Sequence, residues 1–134
     1  MEDVDTLNLV LLVVRVAGGI TLALHGYQKF FTYGVDGVTQ GFAGMGIPMA
    51  SIAAPAVATI ELVGGLLVVL GFYHRIAAGL IFGVMLGAIY FAKMSGGFFA
   101  PGGIEFELSL AAMALTVFFA GGGSYTLEEM RKKG

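Results

Sequence analysis

The stretch from Leu7 to Phe31 reads LNLVLLVVRVAGGITLALHGYQKFF, and it decides the fold of this chain. It is apolar almost without interruption. The hydrocarbon core of a bilayer is about 30 Å thick and an α-helix rises about 1.5 Å per residue, so roughly 20 apolar residues cross it. The stretch therefore predicts a first transmembrane helix over about residues 7–31. Because acidic residues precede it, we expect a retained span and not a cleaved signal peptide.

Three basic-type side chains interrupt this apolar stretch, at Arg15, His25 and Lys29. Together with Gly18 and Leu22 they follow spacings of three and four residues, which places them on one stripe of a helix. Charged side chains inside the hydrocarbon core are costly, and they usually face a partner, a cavity or the bundle interior. The stripe therefore predicts carboxylate partners on other membrane helices.

The composition places the whole chain in a membrane. Of its 134 residues, 57% are hydrophobic and 12% are charged, and the mean hydropathy is +0.90. Soluble domains carry about 25% charged residues, so this chain has too few to cover a surface that faces water. We predict one integral membrane domain over residues 1–134, in contact with the lipid bilayer. The net charge of −2 gives no reason to expect nucleic acid as a partner.

The chain has no cysteine and two histidines, His25 and His74. Disulfides, thiol catalysis and thiolate metal sites are therefore excluded. The two histidines are predicted to lie near opposite faces of the membrane. We accordingly expect no metal site, no covalently bound cofactor and no catalytic residue set that acts alone.

The rest of the chain contains three further apolar runs. They predict spans over about residues 49–71, 76–93 and 105–120, and a turn-rich loop over residues 95–103. Thr126 followed by Glu129 resembles a capping box and predicts a short cytoplasmic tail helix over residues 126–133. The predicted fold class is an all-α membrane protein with a four-transmembrane-helix bundle.

Basic residues set the predicted orientation of this bundle. The side that carries both termini holds Arg75, Arg131, Lys132 and Lys133. The opposite side holds Lys29 and Lys93. Because cytoplasmic segments carry an excess of Lys and Arg, we expect the N- and C-termini in the cytoplasm and the protein in the plasma membrane.

Glycine is abundant, with 22 residues in the chain. In membrane helices small residues let two backbones approach closely. Gly64 and Gly65 lie in the second predicted span, and Gly79, Gly83 and Gly87 repeat at intervals of four in the third. We predict all five as helix-packing positions.

Glu61 lies near the middle of the second predicted span. Residue counts at the helical rise put its depth between Arg15 and His25 of the antiparallel first span. The simplest interpretation is that Arg15 and Glu61 form a buried pair that joins the first two helices. The alternative is that both line a polar pocket.

Glu105 and Glu107 begin the fourth predicted span, at the predicted depth of Lys29. They face nearly opposite sides of their helix, so we expect at most one of them to join the charged cluster. Glu105 shares a face with Ser109 and Thr116, and this more polar face slightly favours Glu105.

Five segments in order resemble the DoxX family of small four-helix prokaryotic membrane proteins, and the resemblance covers essentially the whole chain. They are Arg15 with His25–Phe30 (HGYQKF), Gly41–Pro48 (GFAGMGIP), Glu61–Gly65 (ELVGG), Gly96–Glu107 (GGFFAPGGIEFE) and Gly123–Leu127 (GSYTL). One departure is His74–Arg75, where the family usually has Thr-Arg. The resemblance implies the four-helix fold and the cell membrane of a prokaryote.

The resemblance also implies redox partners. Some family members are subunits of a thiosulfate:quinone oxidoreductase, and another is described as the membrane anchor of an assembly with a superoxide dismutase and a sulfurtransferase. The first hypothesis is thus a membrane subunit or anchor of a redox complex with other membrane or peripheral subunits. In it, His25 and Lys29 are donors to a quinone carbonyl or an anionic lipid headgroup near the outer leaflet.

Two other hypotheses stay open at this point. One is a small proton-coupled carrier that uses Glu61 and His25 as its titrating pair. The other is an assembly factor in which the charged cluster is purely structural. The sequence leaves open whether the chain forms a homo-oligomer.

Overall fold

The computed structural model describes residues 2–93, 96–99 and 102–134, and in these ranges the chain is helical, with no β-strand. The α-helices are α1 (Glu2–Phe31), α2 (Val35–Gly44), α3 (Ala50–Thr59), α4 (Gly65–Leu70), α5 (His74–Ala88), α6 (Glu105–Ala120) and α7 (Leu127–Lys133). Two π-helical turns, Ile60–Gly64 and Ile89–Lys93, continue α3 and α5. The predicted all-α class is confirmed. The predicted loop over residues 95–103 lies partly outside the described residues.

Three segments of the described chain are long and apolar enough to cross a membrane: Asp3–Phe31, Ala50–Leu70 and His74–Ala92. The second consists of α3, the first π turn and α4 in continuous succession, and we call it the α3–α4 rod. Helix α6 has 16 residues, or about 24 Å at the helical rise, which is shorter than the hydrocarbon core. Many large apolar side chains of these helices are exposed, as expected for surfaces that face lipid.

The α3–α4 rod packs between α1 and α5, and α5 packs along α6. A shorter contact between α6 and α1 closes the bundle. Its core contains fully buried side chains from α1, the α3–α4 rod, α5 and α6, namely Leu22, Val68, Ile81 and Val117. In a bilayer such contacts stabilise the bundle through van der Waals packing, because lipid tails are as apolar as the core itself.

Glycines bring α1 and the α3–α4 rod into backbone contact. A methyl group added at Gly65 would lie 2.6 Å from the carbonyl oxygen of Gly19. One added at Gly26 would overlap the backbone of Leu62 and lie 2.8 Å from the carbonyl oxygen of Ala58. We call this contact the α1–rod seam. It fixes the register of the two segments, because neither can slide without a backbone clash.

The other glycines predicted as packing positions behave differently from one another. Gly64 and Gly79 each lie against a side chain of a neighbouring helix. The prediction is wrong for Gly83 and Gly87, because a methyl group added at either would meet no atom within 4 Å. Both glycines instead line a cavity inside the bundle.

The middle of the α3–α4 rod departs from α-helical geometry. Pro55 lies inside α3, where it cannot donate a backbone hydrogen bond, and the π turn begins at Ile60. A π turn fits an extra residue into a helix and often occurs near functional sites. Here Glu61 and Gly64 are the buried residues of the turn, so a carboxylate lies in the bundle interior.

Hydrogen bonds tie the C-terminal tail to the bundle. Thr126 caps α7, because its side chain accepts a hydrogen bond of 3.1 Å from a backbone N–H of the first turn. The backbone N–H of Tyr73 donates to Glu128 Oε1 at 2.7 Å, and that of Ser124 donates to Asn8 Oδ1 at 3.0 Å. The tail is therefore fixed against α1 and the turn between α4 and α5.

The α1–rod seam predicts that Gly26→Ala destabilises the bundle by about 1–3 kcal/mol, the usual cost of forcing extra volume into a packed site. The added methyl group overlaps the backbone of Leu62, which has no flexible end to move aside. Thermal unfolding of the purified protein in detergent, followed by far-UV circular dichroism, measures the effect. Gly37→Ala in α2 is the matched control, because a methyl group there meets open space. Equal unfolding temperatures for the two variants would contradict the seam.

Candidate functional site

A partly open cavity lies between the helices of the bundle, and its volume of about 820 Å³ is within the range of small-molecule sites. Helices α1, α5 and α6 and the α3–α4 rod form its walls, and α2 with the following turn contributes Phe42, Met45 and Ile47. Its lining is mostly apolar. The titratable groups among the described lining residues are His25, Lys29, Glu61 and Glu107. Such a site buries an apolar ligand and fixes its orientation through a few polar contacts.

A short ion pair lies in the wall of this cavity. Lys29 Nζ is 2.7 Å from Glu61 Oε1, and the two side chains are 20% and 7% exposed. The expected pairing of Arg15 with Glu61 is therefore wrong. The α1–rod seam places Gly26 beside Leu62, so Glu61 is level with about residue 27 of α1, about half a turn from Lys29. A lysine side chain leans toward the N-terminus of its helix and spans that distance.

Arg15 lies elsewhere and bonds to backbone oxygens. Its side chain is fully buried, with Nε donating to the carbonyl of Gly122 at 3.1 Å and Nη2 to that of Tyr125 at 2.6 Å. Nη1 donates to the carbonyls of Val68 at 3.1 Å and Val69 at 2.9 Å, in the last turn of α4. The C-terminal end of a helix carries partial negative charge, which stabilises a cation there. Arg15 thus joins α1, α4 and the tail, and it is not among the cavity residues.

His25 does lie at the cavity, one turn before Lys29. Its ring packs against the ring of Phe106, with centroids 5.0 Å apart and planes tilted by 43°. This contact joins α1 to the first turn of α6. It also places an imidazole, which can donate and accept hydrogen bonds, beside an aromatic surface.

Of the two glutamates of α6, the structure places Glu107 at the cavity and Glu105 away from it. Glu107 is 6% exposed and belongs to the buried stripe of α6 that continues through Leu110 and Ala114. The preference for Glu105 is therefore wrong. The hydroxyl of Ser109 made the Glu105 face of α6 look like the polar side that points inward. That hydroxyl instead donates to the carbonyl oxygen of Glu105 in its own helix, at 2.8 Å.

The cavity also contains residues that the sequence pattern did not indicate. Phe42, Met45 and Ile47 belong to none of the predicted spans, and they come from α2 and the turn that follows it. Phe42 lies in α2, whereas Met45 and Ile47 lie in the turn after it. The three residues therefore do not share one helical face, and no helical periodicity in the sequence connects them. The open wall at Gly83 and Gly87 was not foreseen either, because small residues in a membrane helix usually indicate contact.

The family model named DoxX matches residues 10–94 of the chain. The chain belongs to the DoxX family. Three titratable groups of the cavity, His25, Lys29 and Glu61, lie within the matched residues, whereas Glu107 lies beyond them. The recognised family thus covers α1, the α3–α4 rod and α5, which form most of the cavity wall.

Curated relatives of this DoxX protein span most of its length. It is 34% identical over 123 residues to the protein named "Putative oxidoreductase CatD" of Bacillus subtilis, covering 92% of this chain and 87% of the relative. It is 31% identical over 124 residues to "Inner membrane protein YphA" of Escherichia coli, covering 88% and 87%. An uncharacterized protein of Haemophilus influenzae is 30% identical over 119 residues, with coverage of 86% and 85%. No solved structure matches the chain.

The hydrogen bonds of Arg15 predict that Arg15→Met lowers the free energy of unfolding by about 3–5 kcal/mol, because it leaves buried carbonyls without donors. Arg75→Met is the matched control, since Arg75 is exposed and its bond to the carbonyl of Phe118 is 3.5 Å long. Chemical unfolding in detergent, followed by circular dichroism, compares the two variants. A loss below 1 kcal/mol for Arg15→Met, about the value of an ordinary hydrogen bond, would contradict the assigned role.

Proposed function

We propose that this DoxX protein is a membrane subunit of a redox assembly and that its cavity binds a quinone. The observation that carries the proposal is the cavity itself: it is about 820 Å³ in volume, mostly apolar, and contains the Lys29–Glu61 pair in its wall. A quinone combines a flat apolar ring with carbonyl oxygens and an apolar tail. The apolar lining suits the ring and tail, and the polar groups suit the oxygens.

Lys29 is the proposed donor to one quinone oxygen. An ammonium group has three N–H donors, and the ion pair with Glu61 uses one of them. Glu61 keeps the ammonium in place, so the donor is oriented before a ligand arrives. The imidazole of His25 lies one turn away and is suited to exchange a proton with the ligand or with water.

Electrons are proposed to come from a partner subunit. The chain has no cysteine, so it has no thiol or thiolate ligand of its own to carry them. The printed name of the Bacillus relative, "Putative oxidoreductase CatD", supports a redox role for this family member. In this assembly the chain supplies the binding site within the bilayer and the anchor to it.

The proposed arrangement in the membrane has four spans, with α6 as the fourth and both termini in the cytoplasm of a prokaryotic cell. Helix α6 packs along α5 over its whole core face, which is the position of a fourth bundle helix. Its 16 residues are sufficient if Glu105 lies at the membrane boundary. The name of the Escherichia relative, "Inner membrane protein YphA", supports the location. In this orientation Lys29 and the cavity lie toward the outer leaflet.

Quinone binding predicts that an organic extract of the purified protein contains quinone, measured by liquid chromatography with mass detection. The double variant Lys29→Met with Glu61→Met removes both charges together, a change that buried ion pairs often tolerate without loss of stability. We expect its quinone content to fall about tenfold or more, as the loss of one charge-assisted hydrogen bond implies.

Glu105→Gln is the control for this experiment, because Glu105 lies on the same bundle outside the cavity lining. Its quinone content should equal that of the unmodified protein. The proposal is rejected if the unmodified protein carries no more quinone than an unrelated membrane protein purified in the same detergent. It is also rejected if the double variant retains the full amount.

The proposed orientation is testable because the chain has no native cysteine. Thr32→Cys lies just beyond the end of α1, and Ser124→Cys lies in the turn before α7. A membrane-impermeant maleimide added to intact cells or spheroplasts should label Thr32→Cys and leave Ser124→Cys unlabelled until the membrane is opened. The reverse pattern would show that the orientation is inverted, and labelling of both would rule out α6 as a span.

A further inference from the structure

Glu107 is a buried carboxyl group whose contacts are incomplete. It lines the cavity from α6 and is 6% exposed. Its Oε1 atom is buried and has no hydrogen-bond partner among the described residues. Burying a polar group without a partner is costly, and native proteins rarely leave one unpaired without a functional reason. The missing partner is therefore expected to come from a ligand of the cavity.

Two contacts place Glu107 at the level of the Lys29–Glu61 pair. The His25 ring lies 5.0 Å from that of Phe106, so residue 25 of α1 is level with the first turn of α6. The α1–rod seam puts Gly26 beside Leu62, so the same part of α1 is level with the π turn. Residues 61 and 107 thus lie at a similar depth, on two elements that both contact α1, and both line the same cavity.

The two polar positions differ in how many of their hydrogen-bonding atoms already have a partner. In the Lys29–Glu61 pair, Lys29 Nζ donates to Glu61 Oε1 at 2.7 Å, and the ammonium group has two further N–H donors. Glu107 contributes a carboxyl group that donates a hydrogen bond when protonated and accepts one when ionised. Apart from these groups and His25, the described lining is mostly apolar. This pattern matches a flat ring with an oxygen at each of two opposite ends.

We propose that Glu107 is a second anchor of the cavity and selects rings that carry two oxygens in para positions. One oxygen bonds to Lys29 and the other to Glu107. Because a carboxyl group serves as donor or acceptor, this recognition depends on the number and position of the oxygens and not on the oxidation state of the ring. The inference rests on the proposed function and names the ligand class and the residue that distinguishes it.

The test compares duroquinone with durenol, which have the same tetramethylated ring but two para oxygens and one oxygen, respectively. Isothermal titration calorimetry of the purified full chain in detergent measures both affinities. We expect Glu107→Leu to weaken duroquinone binding about tenfold, the value of one lost hydrogen bond, and to leave durenol binding unchanged. Glu107→Gln keeps a donor and an acceptor, so it should retain most of the preference for duroquinone. Glu105→Gln, two residues away and outside the cavity lining, should change neither affinity.

The outcomes separate this inference from the proposed function. If Glu107→Leu binds duroquinone as tightly as the unmodified protein, the second anchor is rejected and the quinone cavity stands. If Glu107→Leu and Glu107→Gln weaken both ligands equally, Glu107 only shapes the cavity, and the second anchor is again rejected. If the unmodified protein binds neither ring, both proposals fail. Glu107→Met, which has a similar length, replaces Glu107→Leu if the latter does not fold.

Discussion

The backbone contact between α1 and the α3–α4 rod is the constraint on which the rest of the structure depends. Gly19, Gly26 and Gly65 remove the side chains that would hold the two segments apart, so their backbones meet directly. In a bilayer no solvent is released when helices pack, and close contact between small residues is a principal source of affinity. Because backbone atoms do not yield, the contact also sets which residues of the two segments lie at the same depth.

The charged groups of α1 follow from this register. Toward the N-terminal half, Arg15 meets the last turn of α4, where Val68 O accepts only a 3.3 Å backbone bond from Gly71 and carbonyls at a helix end are short of helical partners. Toward the C-terminal end, Lys29 meets the carboxylate of Glu61 in the π turn. The same stripe of α1 therefore carries a structural cation and a cavity cation. Their roles differ because Arg15 is enclosed by backbone oxygens, whereas Lys29 borders open volume.

The sequence predicted the helical class and the polar stripe of α1 because hydrophobic length and spacing are properties of the chain itself. It did not predict the partner of Arg15, since every residue offers a carbonyl and no residue type marks those of Val68 or Gly122. Depth counts placed Glu61 between Arg15 and His25 because they assumed where each span meets the membrane surface. The α1–rod seam instead puts Glu61 level with about residue 27 of α1, within reach of Lys29. The choice between Glu105 and Glu107 depended on which face of α6 packs on α5. The hydroxyl groups of Ser109 and Thr116 made the opposite face appear to be the polar, inward one. Both groups instead donate to carbonyls of their own helix.

The position of the cavity follows from the different surroundings of two sets of glycines. Where a glycine faces a backbone, as in the α1–rod seam, it draws helices together. Where no neighbouring atom lies within 4 Å of an added methyl group, as at Gly83 and Gly87, the glycine leaves volume unfilled. Natural interiors rarely retain large voids, because lining atoms without neighbours lose dispersion contacts. The cavity of about 820 Å³ is partly open, so lipid tails can fill its apolar part, but they offer no hydrogen-bond partner to the buried carboxyl oxygen of Glu107. An apolar ligand with oxygens at its ends would fill the same apolar volume and also supply that partner.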